Sequence, residues 1–296
     1  MQFPHPPMPA FAPERGAAFQ SYPRYEDVAQ DGRLMPIALP PAMSGLWQAA
    51  IVNNVGSRNS IAKGVIPILT RLTISTRDQP VRVDRPLDVR AGFDLAHGRA
   101  ATADDEVTRI FMNVWTEVSG VAGRIGPRQS SNELAVAGLL FAEHTFTRPL
   151  AAPDQRRVTR LDAEGYPDIP ETRYDAPAPE TAQDAPPGAT WTTELLPDAH
   201  DVVFTLDQSD SNQHVNSLVY IRVFLDAAQR AIGRANLPLK IRSRAVDIAY
   251  RKPCFAGDKV RAHTRLFDLD GEPGVAGSIV GDDGKPRCFV RVSYGR

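Results

Sequence analysis

Eight prolines fall between residues 150 and 200 of this 296-residue chain, at positions 153, 167, 170, 177, 179, 186, 187 and 197. Proline has no N–H to give and blocks the backbone conformations of a helix interior or a central strand, so this stretch can be neither. Ten acidic residues against four arginines share it. The chain is therefore expected to fold as two halves, 1–150 and 191–296, joined by an extended, partly mobile linker at 151–190. A composition that is 42% hydrophobic and 23% charged supplies a core and excludes global disorder.

The second half has the clearer pattern. A short strand is expected at 200–206, then a polar loop at 207–214 and a helix over 215–235. Leu218, Ile221, Leu225, Ala228 and Ile232 recur at spacings of three and four, with Asn216 as N-cap and Gly233 near the end. Strand-like runs follow at 239–251, 258–269, 274–281 and 286–294. Val246, Ile248 and Tyr250 alternate, as do Cys288, Val290, Val292 and Tyr294. Turn residues at 270–274 and 281–284 join them, so a four-strand meander is expected.

The first half repeats this order more faintly. An extended piece at 21–28 precedes a helix expected at about 44–55, with Leu46, Trp47, Ala49 and Ala50 inward. Strands are expected at 68–76, 87–96, 107–120 and 134–148. The order strand, helix, four strands thus occurs twice, as tandem pseudo-repeats with little visible sequence in common.

The chemistry concentrates at Asp210-Ser211-Asn212-Gln213-His214-Val215-Asn216. A carboxylate, a carboxamide and an imidazole lie within five residues, directly before an amphipathic helix. A helix start presents unpaired N–H groups and a partial positive charge, which would polarise a carbonyl placed there. Asp210 could then act as nucleophile or as base for water, with Asn212 and His214 orienting it. The same residues are also ordinary helix-capping types, and by residue type alone both readings stand.

D-x-N-x-H-V-N, followed by a helix carrying Tyr220, resembles the hot-dog-fold thioesterases. The likeness is greatest to the acyl-ACP thioesterases, with the broader 4-hydroxybenzoyl-CoA thioesterase type behind them. It extends over 204–294 and includes the run Val246-Asp247-Ile248-Ala249-Tyr250-Arg251-Lys252-Pro253-Cys254 and the Gly257-Asp258 turn. The resemblance implies an α+β fold, a tandem (double) hot-dog in which each antiparallel sheet wraps a long central helix. It implies a thioesterase acting on an acyl-ACP or acyl-CoA thioester in fatty acid or polyketide biosynthesis, without a cofactor. Carried over by residue, it implies Asp210, Asn212 and His214 as catalytic, and Cys254, Asn216 and Tyr220 as accessory. One position departs from the family pattern. Pro253 stands where the plant-type enzymes carry an acid beside the cysteine. Either Asp210 suffices, or Asp247 or an acid of the first half substitutes, or the reaction has changed. The first half has Asp31-Gly32-Arg33 at the corresponding place and no Asn or His, so it reads as a degenerate copy. Its expected task is to wall an acyl tunnel, with Leu46, Trp47, Ile51, Phe111, Met112 and Trp115 as candidates.

From Leu218 to Ala262 ten Lys or Arg stand against three Asp. Arg242, Arg244, Arg251 and Lys252 are the expected carrier-binding residues, because phosphopantetheine and acyl carrier proteins are anionic. The rest of the sequence mainly excludes. A net charge of −1 favours neither nucleic acid nor an acidic membrane surface, and the longest apolar run, 134–142, is too short to span a bilayer. The proline-rich start reads as a loose arm rather than a signal peptide. Two cysteines, Cys254 and Cys288, suit a reducing cytoplasm. His97, His144, His200 and His263 show no metal spacing, and nucleotide-binding and serine-hydrolase motifs are absent. Two rivals share the fold: a dehydratase, hydratase or cyclase on a carrier-bound acyl chain, and a non-catalytic acyl-binding protein. Homodimerisation is left open.

Overall fold

Runs with an apolar period of two become strands, and the run with a period of 3.6 becomes a helix. In this computed structural model, residues 3–100, 106–125 and 132–295 are described. Their order is β1 (Gly16–Ser21), three short helices α1 (Leu39–Ala42), α2 (Ser44–Leu46) and α3 (Val55–Ala62), then β2 (Ile66–Thr76), β3 (Leu87–Arg99), β4 (Val107–Val121) and β5 (Leu134–Thr147). After the proline-rich stretch come β6 (Thr190–Trp191), β7 (Leu196–Val203), helix α4 (Ser217–Arg234), β8 (Arg242–Tyr250), β9 (Lys259–Leu269), β10 (Glu272–Gly281) and β11 (Pro286–Gly295). Among the described residues no helix is long and apolar enough to cross a membrane.

Two units are distinguished. The C-terminal unit holds Ala178–Arg296, Arg71–Ser75 and Met1–Pro4; the N-terminal unit holds His5–Thr70 and Thr76–Pro177. In the C-terminal unit the strands lie in the order β7-β9-β10-β11-β8, all antiparallel, with β6 also on β9. The expected meander is thus corrected. β9, β10 and β11 follow one another as hairpins, but β8 pairs with β11 rather than with β9. The Arg71–Ser75 segment of β2 pairs with the far side of β8. The N-terminal unit repeats the order as β1-β3-β4-β5, with the ends of β2 beside β5 through Thr70 and Arg77.

Helix α4 follows from its sequence. Asn216 caps it, its side chain accepting from the Leu218 N–H. Tyr220, Ile221, Val223, Phe224, Ala227, Ala228, Ala231 and Ile232 are its buried positions. Gly233 remains inside the helix. The left-handed residue after it is Asn236 (φ 56°), and the Asn236 and Leu237 N–H groups close on the Gly233 and Ile232 carbonyls. The helix expected at 44–55 is different: it is broken. Two prolines open α1, Trp47–Val52 winds in wide π-type turns, and Asn54 starts α3 as a new N-cap for the Ser57 N–H. Gly56 has the Tyr166 ring directly over its Cα, where a side chain would collide.

Both faces of each sheet are covered. In the C-terminal unit Tyr250, on the face of Val246 and Ile248, reaches α4, its hydroxyl donating to the Ser217 carbonyl at 3.1 Å. The opposite face carries Asp247, Ala249, Phe289 and Arg291 and lies under 178–184, where Ala182 packs with Ala249 and Phe289. Asp247 is fully buried there. Arg71 meets it with two bonds, Nε to Oδ1 at 2.8 Å and Nη2 to Oδ2 at 2.6 Å. The Thr73 hydroxyl donates at 3.1 Å and Arg291 Nε at 3.0 Å. Arg71 also donates to Thr181 Oγ1 and Arg291 to the Asp184 carbonyl, which holds 178–184 on the sheet.

In the N-terminal unit the first residues are not a loose arm. Trp115 Nε1 donates to the Pro6 carbonyl at 2.9 Å, Phe11 packs on Trp115, and His5 stacks on Phe141. Tyr174 packs on Phe111 from the same side and donates to Glu143 at 2.8 Å. On the other face His144 is buried edge-on to Trp47, ring centres 5.6 Å apart. Burial disfavours the imidazolium and lowers its pKa from 6.5 to about 4.

Two stability outcomes are expected. Asp247→Asn leaves two buried guanidinium groups without a counter-charge and should cost about 3–5 kcal/mol in chemical denaturation. Unfolded His144 takes up a proton near pH 6.5 but the folded protein resists until about pH 4. Its contribution is therefore intact above pH 6.5 and is lost as pH falls toward 4, by roughly 3 kcal/mol. Urea midpoints at pH 7, 5.5 and 4.5 should show a shallower loss in His144→Leu than in the parent protein.

Candidate active site

The loop 208–216 is closed on itself before α4 begins. The Asp210 N–H donates to the His214 carbonyl and the Gln213 N–H to the Asp210 carbonyl, both at 2.9 Å. Gln213 takes a left-handed conformation, φ 64°, to make this turn. The Asn216 N–H donates to the Gln208 carbonyl at 2.8 Å, and the Val215 N–H to the Cys254 carbonyl at 2.8 Å. The loop is thereby fixed both to itself and to the segment after β8.

This turn places the Asp210 carboxylate half-buried and leaves Asn212 and His214 exposed. Asp210 Oδ1 accepts from the Asn212 N–H at 2.9 Å, and Oδ2 lies 3.5 Å from Asn216 Nδ2. His214 stands edge-on to Phe255, ring centres 5.2 Å apart. Among the described residues, neither the Asn212 carboxamide nor the His214 ring nitrogens have a hydrogen-bond partner. The helix start is more occupied than the sequence reading expects. The Leu218 N–H is taken by Asn216 Oδ1 and the Val219 N–H by the Asn216 carbonyl, each at 2.9 Å. Asn212 and His214 therefore offer exposed side-chain donors from this loop, and the buried Ser209 hydroxyl is a further donor without a partner.

Tyr220 and Cys254 are brought together beneath the loop. The Cys254 N–H donates to Tyr220 Oη at 2.7 Å, and Tyr220 packs on Phe204 and Tyr250. The Cys254 side chain is buried, and burial raises its thiol pKa. That keeps the thiol protonated and weakly nucleophilic. Burial likewise raises the Tyr220 hydroxyl. Both residues bond the 254 turn to the helix. Asp247 cannot replace the acid absent at Pro253, because it is enclosed by Arg71 and Arg291. The carboxylate nearest in sequence is Asp258, whose Oδ2 accepts from the Phe255 N–H at 2.9 Å.

The four expected carrier contacts do not form one patch. Arg242 and Arg244 open β8, whereas Arg251 and Lys252 follow its other end. Nine strand residues put these pairs roughly 25 Å apart. Only Arg251 and Lys252 adjoin the Cys254 turn, and Lys252 is paired with Asp283 at 3.0 Å. Of the expected tunnel residues, Trp47, Ile51 and Met112 line a cavity of about 540 Å³ within the N-terminal unit, with Phe146. Leu46 is plain core, and Phe111 and Trp115 face the other side of their sheet. Phe255 and Phe146 escaped the sequence reading. Phe255 is a lone aromatic in a turn, and Phe146 looks like any inward strand residue. Among the described residues no group of His, Cys, Asp and Glu could hold a metal ion.

Residues 203–293 match the family described as acyl-ACP thioesterase C-terminal domain. No curated protein matches the sequence. Among solved structures, an acyl-ACP thioesterase from Bacteroides thetaiotaomicron is 15% identical, with a TM-score of 0.60 over 95% of this chain and 98% of that one. An oleoyl thioesterase of Lactobacillus plantarum is 15% identical, with a TM-score of 0.63 over 96% and 97%. The 12:0-ACP thioesterase of Umbellularia californica is 12% identical, with a TM-score of 0.60 over 97% and 99%. The chain has the mixed α and antiparallel β fold of these proteins along almost its whole length.

Proposed function

We propose that this chain is a thioesterase that hydrolyses an acyl thioester carried on an acyl carrier protein, releasing the free acid. The observation that carries this reading is the family match over 203–293, which contains both the Asp210–His214 loop and the turn at Cys254. The likeness in fold to acyl-ACP thioesterases over nearly the whole chain supports it. Further support comes from a carboxylate held by its own turn in the same short loop as two exposed donor side chains, Asn212 and His214, which are residue types that attack on a carbonyl uses.

In this reading Asp210 takes a proton from water, and the water oxygen adds to the thioester carbonyl. The oxyanion that forms is met by Asn212 and His214. Its collapse expels the carrier thiolate, which recovers the proton. Asn216 caps α4 with its Oδ1 and brings its Nδ2 to 3.5 Å from Asp210 Oδ2, which links the base to the helix start. Cys254 and Tyr220 act as supports. The architecture is read as a tandem hot-dog: a degenerate unit at 1–150, a linker at 151–190 and a catalytic unit at 191–296. The repeated strand order supports the doubling, and the broken helix of the first unit is its main irregularity.

Asp210→Asn should lower turnover of an acyl-ACP by ~10²-fold or more, as loss of a general base does, with the fold intact. Free-thiol release and product mass, followed together, test it. Near-parental turnover would remove Asp210 from the mechanism, and a mass change with the thioester intact would place the chain among the dehydratase-like rivals. Carrier docking is expected at the Arg251 end of β8. Charge reversal at Arg251 and Lys252 should reduce kcat/KM for acyl-ACP, leave kcat and a small neutral thioester nearly unchanged, and matter less as salt rises. The same change at Arg242 and Arg244 should have little effect.

A further inference from the structure

His144 is a polar side chain that the N-terminal unit buries without using. It is 4% exposed, and its Nδ1 has no hydrogen-bond partner. A neutral imidazole carries one N–H and one lone pair, and burial keeps this one neutral at pH 7. The Met112 and Ala142 backbone carbonyls stand close enough to favour an N–H on the ring, but a carbonyl cannot serve a lone pair. Among the described residues no N–H or O–H group donates to the ring. In either tautomer, therefore, a buried acceptor is left open, which is costly unless a donor reaches it. The neighbours of His144 show where that donor would come from. It lies directly across from Met112 in the pairing of β4 with β5, two residues before Phe146 on the same face of β5, and edge-on to Trp47. Met112, Phe146 and Trp47 all line the cavity of about 540 Å³. Ser57 and Ser60, also in its lining, are engaged with Tyr166 Oη and the Val65 carbonyl. The imidazole is thus an unused acceptor directly behind an apolar stretch of wall, and a plain aliphatic chain offers it nothing.

We infer that His144 selects an acyl chain that carries a hydroxyl group, by accepting a hydrogen bond from it where the chain passes Met112 and Trp47. The inference rests on the proposed thioesterase reading for the presence of an acyl chain, and adds which chain: a hydroxyacyl thioester rather than a plain one. Met112 is an unbranched, adaptable side chain, and Trp47 stands in the wide turns rather than in a regular helix, so the wall in front of the ring can yield. The discrimination comes from desolvation. A hydroxyl that enters an apolar cavity and finds no partner is penalised, whereas one that meets an open acceptor recovers its hydrogen bond and satisfies the ring as well. A site built to bond a hydroxyl also rejects the analogue that lacks it, because its own buried group then stays unpaired.

The test is calorimetric titration of the whole protein, below micelle formation, with decanoate and its monohydroxy isomers bearing the hydroxyl at the β-carbon, at mid-chain and next to the chain end. The parent protein should bind one of these isomers about fivefold more tightly than decanoate, or better, as expected of a buried hydrogen bond. His144→Leu should reverse the order, so that decanoate is preferred over every isomer. His144→Gln, which keeps an acceptor, should retain part of the parent's preference. Decanoate bound as tightly as every isomer by the parent, no binding of any of these acids, or a His144→Leu variant that keeps the preference or weakens all of them alike would each overturn the inference. Free acids are titrated and nothing is hydrolysed, so these outcomes stand apart from the turnover of Asp210→Asn, which tests the thioesterase reading itself.

Discussion

A single buried carboxylate sets the register of the C-terminal sheet. Asp247 lies opposite Arg291 on β11 and opposite Thr73 on the β2 segment, and all three converge on one point with Arg71. Side chains alternate along a strand, so a slip of one residue would turn Asp247 toward Tyr220 and Phe224 and bring an apolar residue under the two guanidinium groups. Both errors are expensive, whereas apolar neighbours such as Val246 and Ile248 would tolerate a slip. The cluster carries two positive charges against one negative charge and is sealed by 178–184 and by Phe3, whose ring lies 4.7 Å from the Arg291 guanidinium carbon. Apolar residues of similar volume would give as much stability, so its value is in specifying one pairing.

That register has consequences at the end of β8. Tyr250 reaches the first residue of α4, and four residues later the backbone of Cys254 bonds both Tyr220 and Val215. The helix start, the polar loop and the turn after β8 are therefore one hydrogen-bonded block. Within it the Asp210, Asn212, Gln213, Val215 and Asn216 N–H groups are all bonded, and the side chains of Asn212 and His214 stay exposed beside an Asp210 carboxylate that keeps acceptor capacity. A loop held in this way loses little further freedom when a substrate arrives, which is the usual condition for efficient attack. It also explains why Asn216, an ordinary cap by residue type, is tied to the candidate base.

Much of this could be read from local pattern. The alternation of Val246, Ile248 and Tyr250 and the spacing of Ile221, Ala228 and Ile232 are properties of short windows, and those elements stand within a few residues of their expected bounds. The Asp210 loop was legible because its residues are contiguous. What was not legible depends on residues far apart in the chain. Nothing near Arg71 announces a partner at 247, so the pairing of β8 with β11 and with a segment of β2 could not be anticipated. Pro4, Pro6 and Pro7 suggested a loose arm because they bar regular structure, yet the arm is held by a Trp115 bond and ring contacts that need no regular structure. Gly233 does lie near the helix end, as expected, but the left-handed turn after the helix is made by Asn236, because Asn also tolerates that conformation.

The two helical regions show how small local differences create or remove space. Helix α4 runs unbroken for 18 residues and turns Ala227, Ala228 and Ala231 inward, so it can lie close to its sheet without leaving a void. The corresponding stretch of the N-terminal unit begins with two prolines, unwinds over Trp47–Val52 and restarts at Asn54. Each of these departures moves side chains off the tight ridge that a continuous helix would present. The cavity lies where they do so: Trp47, Ile51 and Val52 come from the wide turns, and Ser57, Ser60 and Ile61 from the restarted helix. The helix irregularity and the cavity are thus one feature. A sequence that straightened this helix, for instance by placing alanines at 53 and 54, would be expected to close the space rather than merely stiffen its rim.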